Sequence, residues 1–495
     1  MKIKIQKYSM LFLAVSMLML GACTDLNVEY LDSIKIEQSE GGGSIDIEAN
    51  LNSAYNKLGD IVGSSYTGVS GLNEPTSDEM IIPTRSTDWG NGGVFRELHS
   101  HGWDAGHSYI LDVWNDLNQG VYYCTQILAA GPTELQAAEA HALRGFFLYN
   151  IIDLFGQVPF REVGQGVDVD PVVWTRSEAF DYAVNDLETA MSDLPVGGPG
   201  YEDLTKVTQA FAHALLARFY LNKAVYKADV PAGPYSFGAS DMDMVIEHCD
   251  AVADMGFDYE SNYFDNFNAT GVSEKILIYT RWWNGMWIWP QLHNSQGGWN
   301  GATTLGSFYD IFEDADQRIG TKPATGRGFG FLVGAQLKDD GTPYYNRTGD
   351  PLVYTREILL SGNPDYAGFR ALKYDPNSDG GFVLMRFADV RLMKAEAILR
   401  GGSATNGETA QSIVDELREV RGASQMTASL DMMLDERGRE MYWEGIRRTD
   451  QIRFETFTKT TWEQKTLEDD NKVLFPIPQQ AMDSNPNFTQ NPGYK

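Results

Sequence analysis

The chain has 495 residues, with 39 Lys/Arg against 68 Asp/Glu and a formal net charge of −29. A surface so acidic repels polyanions, which excludes nucleic acid as a partner. There are three cysteines without zinc-type spacing, and the length allows a large core.

The first element in chain order is a leader. Lys2, Lys4 and Lys7 form a basic n-region, and Met10 to Leu20 is an apolar run too short to span a membrane. Leu20-Gly21-Ala22-Cys23 reads as a lipobox: small residues admit a signal peptidase, and Cys23 supplies a thiol for acylation. An ordinary secretory signal with a chance cysteine is the competing reading. Residues 1–22 are expected to be a lipoprotein signal peptide and 23–40 an acylated tether. The rest, 41–495, is expected to fold as one domain. Without the leader 36 basic and 68 acidic residues remain, a net of −32.

Helical periodicity dominates the remainder of the chain. Amphipathic stretches run over Ile47–Leu58 and Tyr109–Leu128. Another runs from Thr133 to about Leu154, with Thr133 and Gln136 placed for a capping box. Further helices are expected over Ser177–Leu194, Val207–Lys227, Asp241–Met255, Met385–Arg400, Glu408–Arg421 and Asp431–Phe454. Many come in pairs joined by Gly/Pro breaks. This predicts a mostly α fold on a helical-repeat, tetratricopeptide-like superhelical scaffold over about 41–256 and 381–495, although no fixed period is visible. Cys124 and Cys249 fall in helical segments, where buried free thiols are the simplest reading and one disulfide is open.

Two regions depart from this habit. Residues 60–108 read as a Gly- and Ser-rich loop, and 257–380 as a long, irregular aromatic segment. Ligand-binding groups concentrate on such loops over a rigid scaffold. In the first, Thr84 to Gly93 offers Trp89 as a flat apolar face with Arg85, Asp88 and Asn91 as hydroxyl partners. In the second, Trp282, Trp283, Trp287, Trp289 and Trp299 fall within eighteen residues. A strand there would put Trp283, Trp287 and Trp289 on one face. Trp283, Trp287 and Trp299 are the candidate sugar platforms, against the alternative that they fill the core.

Asp375, Asn377 and Asp379 with Gly380 match the first half of a calcium loop. Position twelve is Arg386, where a bidentate Glu is required, so a plain Asx/Gly turn competes with calcium. His99, His101 and His107 lie close in sequence, but no acid or thiol completes a metal set at a known spacing. No nucleophile elbow, phosphate loop or dinucleotide fingerprint is present.

Several segments carry a family resemblance. They are Glu139-Ala140-His141-Ala142-Leu143-Arg144 with Asp153 to Pro159, Asp316-Gln317-Arg318, and Arg386 to Ala397. Next come Glu436-Arg437-Gly438-Arg439-Glu440, then Glu444 to Asp450, and finally Lys472 to Pro478 with Asn485 to Tyr494. In this order, with the lipobox, the chain resembles the SusD/RagB family of outer-membrane nutrient-binding lipoproteins. The resemblance implies a SusD-like fold and no catalytic residues. It implies a lipid anchor in the outer membrane, facing outward, and an oligosaccharide ligand passed to a SusC-like TonB-dependent transporter that the protein covers as a lid. A peptide receptor of the same import type and a lipid-anchored glycoside hydrolase are the alternatives.

The Arg/Glu segments also have a scaffold reading. Glu436/Arg439, Arg437/Glu440, Glu440/Arg447 and Asp450/Arg453 are spaced to pair along a helix, and Arg can clamp carboxylates between helices. The tail from Lys472 reads as an anchored terminus, with Pro476 and Pro478 holding it extended.

Overall fold

The computed structural model describes residues 45–495 except 64–65, 87, 162–164, 166–168, 281–290, 375–379 and 468. The leader, Cys23, Trp283 and Trp287 lie outside the described residues, as do Asp375, Asn377 and Asp379 of the calcium reading. Among the described residues no helix is long and apolar enough to cross a membrane.

The helices are α1 (Ile47–Val62), α2 (Gly68–Asn73), α3 (Val94–His99), α4 (Ser108–Ala129), α5 (Glu134–Leu154), α6 (Arg176–Ala190) and α7 (Gln209–Tyr226). They continue with α8 (Ala239–Asp254), α9 (Gly306–Tyr309), α10 (Phe387–Leu399), α11 (Ala410–Val420), α12 (Leu430–Met441), α13 (Arg447–Arg453) and α14 (Gln479–Ser484). Packing is chiefly between neighbours: α4 on α5, α5 on α6, α7 on α8, α8 on α10 and α10 on α11. This is the stacking expected of tetratricopeptide-like helix pairs.

Local signals explain the boundaries. Thr133 and Gln136 cap α5 reciprocally, and Thr175 with Glu178 does the same for α6. Gly120 lets α4 approach α5, since a Cβ there would come within 2.7 Å of the Phe147 ring. From Ala138 to Leu154, α5 is buried almost all round, because helices pack on several sides of it. Cys124 and Cys249 are buried free thiols.

The structure corrects several sequence expectations. The 60–108 stretch is not all loop, since it holds α2 and α3. Met385 and Arg386 end a strand, Phe382–Arg386, that pairs antiparallel with Lys275–Tyr279. This two-stranded ladder closes the base of the irregular segment. The Asp431–Phe454 helix breaks between α12 and α13, where Trp443 and Gly445 take left-handed φ values of 59° and 79°. The N–H of Trp443 donates to Glu79 and that of Gly445 to Glu74. Buried tertiary acceptors thus replace the helical ones.

Only two of the four expected helix pairs form. Arg439 meets Glu436 at 3.2 Å and Arg453 meets Asp450 at 2.7 Å. Arg437 instead bridges Asp389 and Asp450, and Arg447 reaches Asp78. Glu440 turns inward to Arg318, Arg386 and Arg421. Arg386 also holds Glu274 and Glu444, so it carries charge between the strand and α12. All of these arginines are buried, Arg318, Arg386 and Arg421 fully so, and most clamp carboxylates between elements.

The tail is tied throughout. Phe475 N–H donates to Leu154 O, and Trp103 Nε1 donates to the Tyr494 hydroxyl. Asn491 Nδ2 donates to Phe155 O at 2.8 Å and Phe475 O at 2.7 Å. Asn491→Ala strands both buried carbonyls and is expected to cost on the order of 2 kcal/mol, read as a lowered midpoint in urea unfolding. An unchanged midpoint would remove the tail from the list of structural ties.

Candidate functional site

Two distant stretches meet through a short antiparallel pairing of Met80–Ile81 with Thr303–Thr304. This places the turn after residue 84 beside the loop at 293–300. The turn is narrow: Arg85 N–H donates to Asp88 O at 3.0 Å, and Asp88 N–H returns to Arg85 O at 2.9 Å. Beyond it Trp89 sits at φ 58°, a left-handed conformation unusual for a bulky side chain. The strain is held by packing and one strong bond. The Trp89 ring lies 5.5 Å from Tyr66 and 5.7 Å from Phe95, and its Nε1 donates to Trp299 O at 2.7 Å.

The result is a cavity of about 570 Å³ lined by Thr67, Asp88, Trp89, Asn91, Tyr109, Asn294, Trp299 and Arg347. Its size suits an oligosaccharide unit or a similar small ligand. Trp299 is 46 % exposed, an unusual state for so large an apolar face. Asp88 accepts from Arg347 Nη2, which also donates to Asn294 Oδ1 at 2.7 Å. Acceptor and donor therefore stand side by side in a cavity that two tryptophans also line, an arrangement complementary to sugar hydroxyls, each of which can donate and accept.

Arg347 is presented by a tight turn in which Asn346 Oδ1 accepts from the N–H groups of Thr348 and Asp350. Its own N–H donates to Asp365 Oδ2 at 2.7 Å, as does His293 Nε2 at 2.9 Å. Burial holds His293 below the ordinary imidazole value, so the ring is neutral, with the proton on Nε2. His293 Nδ1 then accepts from Ser295 N–H at 3.1 Å. Burial works to raise Asp365, but the bonds from His293 and the Arg347 amide outweigh it and hold the carboxyl below its usual range. Asp365 therefore anchors both loops as an ion.

Of the sequence candidates, Asp88, Trp89, Asn91 and Trp299 are brought to this one cavity. Arg85 is not. It is 1 % exposed and lies behind the turn, its Nε donating to Asn300 O and its Nη1 to Pro364 O, both at 3.1 Å. Thr67, Tyr109, Asn294 and Arg347 line the cavity although no sequence motif points to them. Only the turn chemistry of Asn346 to Asp350 marks Arg347's surroundings in sequence.

The histidines of 99–107 are structural. His99 Nε2 meets Glu463 O at 2.7 Å, His101 Nε2 meets Thr76 O at 2.7 Å, and His107 Nε2 meets Val94 O at 3.2 Å. Among the described residues no group of three or more His, Cys, Asp or Glu is placed to hold a metal. Arg386, at the twelfth position of the calcium reading, is committed to Glu274, Glu440 and Glu444 and offers no ligand oxygen.

Known proteins share both the sequence pattern and the fold. Residues 374–494 match the family model of the SusD family. The chain is 26 % identical to the starch-binding protein SusD of Bacteroides thetaiotaomicron, over 99 % of each chain. A SusD-like protein of Bacteroides fragilis shares the fold with a TM-score of 0.70 at 18 % identity, covering 90 % of this chain and 96 % of that one. A surface glycan-binding protein A of Bacteroides thetaiotaomicron, solved in complex with laminarihexaose, superimposes with a TM-score of 0.67 at 19 % identity. That match covers 90 % and 98 % of the two chains.

Proposed function

We propose that this SusD-like chain is a surface-exposed lipoprotein that binds an oligosaccharide and delivers it to a SusC-like TonB-dependent transporter, over which it acts as a lid. The observation that carries the binding part is the cavity between Trp89 and Trp299, with Asp88 and Arg347 paired at its wall. Its described lining supplies one carboxylate, Asp88, whereas glycoside hydrolysis uses two across the sugar. A receptor needs only faces and hydroxyl partners, so the lining supports capture over cleavage. The relatives support the same class: one is named for starch binding and another was solved with laminarihexaose. Anchoring through Cys23 and delivery to a transporter rest on the lipobox and on the family.

Calorimetry against laminarihexaose, soluble starch and a wider glycan panel tests the reading. Trp299→Ala and Trp89→Ala are each expected to weaken the bound glycan by about 1–3 kcal/mol, the scale of losing an aromatic platform. Arg347→Ala is expected to weaken binding less, by about 1–2 kcal/mol, as its partner Asp88 remains to accept. Unchanged affinity in all three removes the site. Release of reducing sugar by the purified protein, abolished by Asp88→Asn, would replace the receptor reading with a hydrolase.

A further inference from the structure

Arg85 is a costly residue to bury, and its surroundings do not repay the charge. Among the described residues no carboxylate hydrogen-bonds it or its neighbour Arg370, which is also fully buried. Burial and the like charge of Arg370 both push the Arg85 guanidinium below its ordinary value. An apolar side chain would fill the same space without this penalty. What it would not do is satisfy two carbonyls at a fixed separation, and a planar guanidinium does that.

The two carbonyls belong to the loops that build the cavity. Asn300 O follows Trp299 directly, and Pro364 O precedes Asp365, which holds Arg347 and His293. The Arg85 backbone itself closes the turn that presents Asp88 and Trp89. Asn300 is buried at φ 56°, with Nδ2 donating to Asp365 O and Oδ1 accepting from Arg370 Nη2, both at 2.8 Å. Three segments far apart in sequence thus converge on one side chain that never reaches the cavity.

We infer that Arg85 is a positioning residue: it fixes Trp89, Trp299 and the Arg347 turn relative to one another before a ligand arrives. The site is therefore preformed, and binding spends little on ordering its loops. The inference rests on the receptor reading for its consequence in affinity, but not for the geometry of the free protein.

The full chain labelled with 5-fluorotryptophan, with Trp89 and Trp299 assigned by exchange to Phe, separates the two. In the ligand-free protein each is expected to give one narrow resonance, and both are expected to shift or broaden in Arg85→Lys and in Arg85→Gln. Lysine keeps the charge but not the fork, and glutamine removes the buried charge as a safeguard for folding. Affinity for laminarihexaose or soluble starch is expected to fall about tenfold or more in both variants. Trp299→Ala is then expected to cost much less in the Arg85→Gln background than in the native one.

Unmoved resonances, native affinity in Arg85→Lys, or additive losses overturn the proposal. If no glycan of the wider panel binds, the receptor reading fails and the fluorine spectra of the free protein still decide the role of Arg85. If both variants misfold, the native spectrum decides: a split or exchange-broadened Trp89 or Trp299 resonance means that the site is not preformed.

Discussion

Glu440→Gln is expected to destabilise the protein by about 3–5 kcal/mol, a large share of the total stability of an ordinary domain. The carboxylate lies between Arg318, Arg386 and Arg421, at 3.2, 2.7 and 2.9 Å, and all four side chains are fully buried. Burial alone would raise Glu440, but the charges of Arg421, Arg386 and Arg318 outweigh it and hold the group well below the usual carboxylate range. Removing that charge leaves three guanidiniums facing one another in a dry interior, sharing Glu274, Glu436, Glu444 and Asp316. A depressed carboxylate stabilises above its unfolded value and loses that contribution as pH falls towards its folded one. Asp389 and Glu396, both held at about 2 by arginines that overcome burial, act in the same direction. Glu440→Gln is therefore expected to lose most at neutral pH and progressively less in acid. Urea unfolding from pH 3 to 7 measures this, with Glu455→Gln as a reference. That residue's exposed pair with Lys459 is expected to contribute less than about 1 kcal/mol. Equal, small losses in the two variants would mean that the buried network contributes little.

Much of the scaffold is legible in sequence because its helices obey local rules. The expected spans of α4, α5, α7, α8 and α11 fall within about two residues of the observed ones, since periodicity and caps such as Thr133 act over one or two turns. The break at Trp443 is not legible in this way. Its cause lies about 370 residues earlier, in the acceptors Glu74 and Glu79, and no local signal outweighs the helical pattern on either side. The cavity divides along the same line. Asp88, Trp89, Asn91 and Trp299 stand out as residue types in loops, and that they gather in one place depends on the pairing of Met80–Ile81 with Thr303–Thr304. Arg85 shows the limit most plainly. Its type suits a hydroxyl partner, but a guanidinium serves equally well as a buried two-carbonyl clamp, and only the fold decides between them. Arg347 and Asn294 gain a role only from the fold that brings their loops to the cavity.

Glu74 and Glu79 are expected to give the protein a second, opposite pH limb. Both are fully buried and accept from neighbouring N–H groups at one break, Glu74 from Gly445 and Glu79 from Trp443, so two negative charges there would oppose each other and the pair is expected to hold a proton. Glu74 Oε2 faces no donor among the described residues, which adds to the cost of leaving this carboxyl ionised. Burial, with each charge opposing the other, pushes Glu79 well above its ordinary value, and burial pushes Glu74 up to about 7. Because the folded values lie above the unfolded ones, this stabilisation is complete below about pH 4.5 and is lost as pH rises through 7. The loss has a slope of up to about 1.4 kcal/mol per pH unit for each proton released. The same carboxyls accept the buried N–H groups of Trp443 and Gly445, so their ionisation is felt at the break between α12 and α13. Glu79→Gln keeps an acceptor for Trp443 and removes one of the two opposing charges. It is expected to leave stability near pH 5 almost unchanged and to raise it relative to the native protein at pH 8. Thermal unfolding of both proteins from pH 5 to 8 decides the matter: parallel curves would mean that no proton is held between Glu74 and Glu79.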